Sequence, residues 1–80
     1  MSNIEKYRNT FVESLSINLK DLKEDLKYND IPEWDSIGHM TLMSELENIF
    51  KISIDTDDIV DFSSFKKGQE ILAKYKVKLN

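Results

Sequence analysis

Eighty residues, 40% of them hydrophobic and 32% charged, suit one small globular domain, because a second core could not be assembled from so short a chain. The absence of cysteine excludes disulfides and thiolate metal sites and is compatible with a reducing cytosol. The opening stretch from Met1 to Thr10 is polar and charged, unlike a signal peptide, and no run approaches the roughly 18 apolar residues of a membrane span, so a cytoplasmic monomer is expected.

The formal net charge of -4 is unevenly spread. Met1 to Trp34 holds seven acids and five bases, Asp35 to Phe62 seven acids against Lys51 alone, and Ser63 to Asn80 five lysines against Glu70. An acidic middle third repels nucleic-acid phosphates, so no nucleic-acid partner is expected, and it attracts proteins with basic patches. A purely solubilising face accounts for the same charges.

In chain order, Ser2 and Glu5 have capping-box spacing, and Ile4, Tyr7, Phe11, Val12 and Leu15 recur at intervals of three and four, predicting a first helix that ends near Ser16. From Ile17 to Trp34 the leucines Leu19, Leu22 and Leu26 are interrupted by Asn18, Asn29, Asp30 and Pro32. This reads as a long connection, pinned to the core by its leucines and holding a short helical turn. From Asp35 or Ser36 to about Lys51 a second helix is predicted, with Leu42, Met43, Leu46, Ile49 and Phe50 as its apolar face. Ile52 to Ile54 reads as an extended link with Ile54 turned inward. Asp55 to Asp58 then offers a cap and first-turn acids for a short third helix through about Asp61. Ser63 and Ser64 are candidate caps for a last helix carrying Phe65, Gly68, Leu72, Tyr75 and Leu79. The expected fold is an all-α four-helix bundle with a long loop between helices one and two and a short third helix.

The chemistry-bearing stretch is Trp34-Asp35-Ser36-Ile37-Gly38-His39-Met40, where a loop gives way to an amphipathic helix. Two readings compete for Ser36. If Asp35 caps the helix, the Ser36 hydroxyl is left unengaged, and a phosphodiester on it would sit at the positive end of the helix dipole. Otherwise Ser36 is itself an ordinary cap.

Asp35-Ser36-Ile37, the amphipathic helix from Leu42 to Phe50, Ile52-Ser53-Ile54-Asp55 and the short acidic helix together resemble the acyl carrier protein family, including its peptidyl carrier relatives. The signature of that family is Asp-Ser-Leu or Asp-Ser-Ile at the start of the second of four helices, and the resemblance covers nearly the whole chain. It implies a phosphoprotein of fatty acid or polyketide biosynthesis type, not an enzyme. A phosphopantetheinyl transferase would attach 4'-phosphopantetheine from coenzyme A to Ser36, and acyl or aminoacyl cargo would ride on the arm as a thioester. Loading and acceptor enzymes with basic docking patches would be its partners. The resemblance also places His39 beside a cargo cavity, next to Leu46, Phe50, Ile54 and Ile59.

On a helical wheel at about 100° per residue with Ile37 at zero, the apolar face falls at about 120° to 240°, whereas Ile37 and Met40 lie outside it. With acids such as Glu47 nearby, they form either a partner-docking patch or a surface covered by the long loop. His39, at about 200°, points into the core arc. It is either a hydrogen-bonded core residue or a group that narrows the mouth of the cargo cavity and disfavours long alkyl chains.

Gly38 and Thr41 stand where carriers of bacterial fatty acid synthesis usually have acids. The Trp-Asp-Ser-Ile-Gly-His form is similar to discrete carriers of amino-acyl, polyketide or surface-glycan pathways. A serine hydrolase is disfavoured, because the one histidine, His39, lies about 60° from Ser36 on the same helix and the nucleophile-elbow glycines are missing. One histidine and no cysteine argue against a metal enzyme, and the Asp55 to Asp58 stretch lacks the glycine and terminal glutamate of a calcium loop. A helical interaction module without a covalent group is the remaining alternative.

Overall fold

The computed structural model describes residues 2–79, which form four α-helices and one turn of 3₁₀ helix. Helix α1 is Asn3–Leu15, and it begins on the capping box that the sequence announces: the Ser2 hydroxyl accepts from the Glu5 N–H while the Glu5 carboxylate accepts from the Ser2 N–H. Tyr7, Phe11 and Leu15 form its buried stripe. Helix α2 is Ser36–Phe50, α3 is Thr56–Asp61 and α4 is Phe65–Lys74. The Ser64 hydroxyl caps α4 by accepting from the Lys67 N–H at 2.9 Å, whereas Asp55 precedes α3 without a side-chain cap bond. Among the described residues no helix is long and apolar enough to cross a membrane.

The core is aromatic at its centre. Phe11 meets Phe65 edge-on at 5.1 Å and Trp34 at 5.3 Å between ring centroids, and Tyr7 lies 4.9 Å from Phe65. All four are fully buried, each contributing roughly 1.5–3 kcal/mol through the apolar area it removes from water. Tyr7 also donates its hydroxyl to the Phe65 carbonyl at 2.7 Å, and burial pushes its pKa well up. Helix α4 comes so close at Gly68 that a Cβ there would stand 2.2 Å from the Tyr7 hydroxyl and 2.2 Å from the Phe62 ring.

The connection between α1 and α2 is held by a few strong points. Its 3₁₀ turn is Leu19–Asp21. Leu22 and Leu26 are buried as expected, but Leu19 is exposed, because the 3₁₀ turn carries it away from the core. Backbone bonds from Tyr28 N–H to the Ser63 carbonyl and from Phe65 N–H to the Leu26 carbonyl, both 2.9 Å, fasten the connection to the junction of α3 and α4.

Two expectations are corrected. Ile49, read as part of the apolar face of α2, is 38% exposed, since it lies at the edge of a stripe whose centre is Leu42, Met43 and Leu46. The last helix does not run to Leu79. It stops at Lys74, and Lys76 turns left-handed with φ 65°. The Lys76 and Val77 N–H groups then close a Schellman motif on the carbonyls of Ala73 and Leu72. Leu79 is nonetheless buried, reaching the core from a non-helical tail whose Lys78 carbonyl accepts from the Asn3 side chain at 2.7 Å.

Candidate functional site

The start of α2 resolves the competition over its cap. Asp35 Oδ1 accepts from the Gly38 N–H at 2.8 Å, so the aspartate, not the serine, terminates the helix. Ser36 becomes the first helical residue, and its side chain is exposed. The Gly38 N–H is satisfied by Asp35, while those of Ser36 and Ile37 point out of the helix end, where an anion is favoured.

The loop lies tight against this turn. A Cβ on Gly38 would stand 2.2 Å from the Glu33 carbonyl oxygen and 3.0 Å from the Leu15 side chain. This gives a physical reason for glycine at position 38, one of the two departures from the pattern the resemblance suggests. Thr41, the other departure, returns its hydroxyl to the Ile37 carbonyl at 3.1 Å.

Ser36 stands at the edge of a cleft of about 330 Å³. Met40 of α2 and Ile59 and Val60 of α3 line its two sides. Phe62, buried, and the half-buried Tyr28 and His39 form its inner part. The His39 imidazole is held at both nitrogens: Nδ1 accepts from the Trp34 indole N–H at 3.0 Å, and Nε2 lies 2.8 Å from the Ile59 carbonyl. An indole nitrogen can only donate, so Nδ1 is the unprotonated one and Nε2–H donates to Ile59. Rings of Tyr28, Trp34 and Phe62 surround the imidazole at centroid distances of 5.4, 6.2 and 6.0 Å. His39 is thus a hydrogen-bonded group at the edge of the core, and it also faces the cleft.

The other expected site residues separate into two sets. Ile37 is 79% and Met40 58% exposed, so the long loop does not cover them. Glu47 is half-buried and its carboxylate accepts from the Ile54 N–H at 2.8 Å, which ties down the link to α3. Leu46 and Ile54 are buried core residues and Phe50 packs against that core, so of the expected cavity residues only His39 and Ile59 line the cleft.

The acids divide in the same way. Glu45, Asp57 and Asp61 are exposed, but Asp58 is buried. It accepts from Lys74 Nζ at 2.6 Å and from the Tyr75 hydroxyl at 2.5 Å, and these two bonds hold its carboxyl below the usual aspartate range. Asp58 therefore joins α3 to α4 and is not available to a partner.

Several members of the site were not legible from sequence. Val60, 76% exposed beside the cleft, carries a signal only as an apolar residue among acids of a short helix. Tyr28 and Ser63 enter the site through a backbone pairing between distant segments, which no local pattern announces. Trp34 stood out only as an unusual neighbour of the motif, whereas it is fully buried and orients His39. No family model matches the chain, and no curated protein matches it.

Proposed function

We propose that the protein is a cytoplasmic carrier that holds acyl or aminoacyl intermediates on a 4'-phosphopantetheine arm esterified to Ser36 and presents them to partner enzymes. The observation that carries this reading is the Asp35–Gly38 cap, which leaves the Ser36 hydroxyl exposed at the edge of an apolar cleft. A phosphodiester fits there: the outward N–H groups of the first turn favour negative charge, and the neighbouring carboxylate is engaged with Gly38. Such an arm, when bound, supplies the terminal thiol that the cysteine-free chain lacks.

The chain's own residues bind and present. Exposed Ile37, Met40 and Val60 offer an apolar contact near Ser36, and the exposed acids of the same two helices, Glu45 on α2 and Asp57 and Asp61 on α3, suit a basic partner. Those same apolar residues favour a second reading, an interaction module with no covalent group. Labelling with a fluorescent coenzyme A analogue and a broad-specificity phosphopantetheinyl transferase separates the two. A carrier takes the label in wild type and not in Ser36→Ala, and an unlabelled wild type leaves the interaction module.

A further inference from the structure

We propose that His39 bars a chain tethered at Ser36 from the interior of the bundle, so that this carrier's cargo is short and stays in the surface cleft between α2 and α3. The inference rests on the carrier reading above. His39 lies one helical turn beyond Ser36, and both residues line the same cleft. A chain running inward from Ser36 along this cleft therefore passes the imidazole.

That imidazole is not free to swing aside. It joins three parts of the fold: the loop through the Trp34 indole, α2 through its own backbone, and α3 through the Ile59 carbonyl. Displacing it would strip partners from the indole N–H, both ring nitrogens and that carbonyl, and the buried indole has no water to replace them. An alkyl chain entering there could not restore any of these bonds. Leu42 and Leu46, buried residues further along the same helix, report whether a chain has passed the ring.

The outer cleft makes different demands. Met40 and Val60 offer exposed apolar surface, while Ser63 and Tyr28 add polar atoms to the same lining. Such a recess can take a short acyl or aminoacyl group at the surface without opening the core.

The test uses intact protein loaded by the transferase with butyryl or dodecanoyl arms from the corresponding acyl coenzyme A, with loading verified by mass. The expected result is that the two wild-type forms melt within about 2 °C of one another, while in His39→Leu the dodecanoyl form melts well above the butyryl form. General destabilisation by the substitution would lower both forms alike and would not create that chain-length dependence. In wild type the methyl resonances of Leu42 and Leu46 should be the same in the two loaded forms, a readout that survives even if the variant fails to fold. A wild-type dodecanoyl form that melts several degrees above the butyryl form, or shifted Leu46 methyls, overturns the barrier. So does a folded His39→Leu that remains indifferent to chain length. If neither arm can be loaded, it is the carrier reading that fails, and the inference falls with it.

Discussion

The Glu33 carbonyl oxygen stands 2.2 Å from where a Cβ on Gly38 would be, so the loop before α2 rests directly on the helix's first turn. Within a helix, alanine ordinarily gains about 1 kcal/mol over glycine. Here the added carbon meets backbone and not a flexible side-chain tip, and overpacking of that kind costs about 1–3 kcal/mol. Gly38→Ala should therefore lower the urea midpoint, and Gly38→Asp should lower it further. A midpoint at or above wild type would mean that the loop moves away freely.

Three helices end on a left-handed residue that is not glycine: Ser16, Lys51 and Lys76, with φ of 55°, 55° and 65°. The left-handed region costs an L-residue roughly 1–2 kcal/mol, and glycine loses roughly 0.5–1 kcal/mol through the extra freedom of its unfolded chain. Lys51 is exposed, so Lys51→Gly should stabilise the fold by about 0.5–1 kcal/mol. Equilibrium denaturation of the single variant checks the sign.

Asp58 makes the bundle sensitive to acid. Its folded pKa is depressed, first by the bond from Lys74 and then by that from Tyr75, so its contribution is fully present above the unfolded value of about 3.9 and is lost as pH falls through the lower folded value. Asp58→Asn should melt below wild type at pH 7, and the gap should narrow as the pH is taken below 4. A gap that stays constant across that window would contradict the linkage.

The Trp34–His39 bond fixes one imidazole tautomer. At neutral pH, ¹⁵N spectra of His39 should show an unprotonated Nδ1 and a protonated Nε2. Trp34→Phe removes the donor and part of a fully buried side chain, with an expected loss of about 1–3 kcal/mol in urea unfolding. The reverse tautomer would break the proposed geometry at its hinge.

What could be read from sequence was what local chemistry decides. The Ser2–Glu5 box and the inward turn of Ile54 each follow from a few adjacent residues, whereas those around the start of α2 left its cap open between Asp35 and Ser36; the helical wheel correctly put Ile37 and Met40 off the buried face. What could not be read depends on partners far along the chain. Glu47 looks like a surface acid until the Ile54 N–H is brought to it, and Asp58 until Lys74 and Tyr75 arrive from α4. The end of α4 was hidden for another reason: Leu79 keeps the helical spacing, while the turn that breaks the helix is made by a lysine, which carries none of glycine's warning.

The most direct test of the Ser36 reading is the intact mass of purified protein after incubation with coenzyme A and a broad-specificity phosphopantetheinyl transferase. Wild type should gain the mass of one phosphopantetheine, mapped to the peptide containing Ser36, and Ser36→Ala should gain none. An unchanged wild-type mass under conditions in which the transferase modifies a control carrier, or a gain that persists in Ser36→Ala, would contradict it.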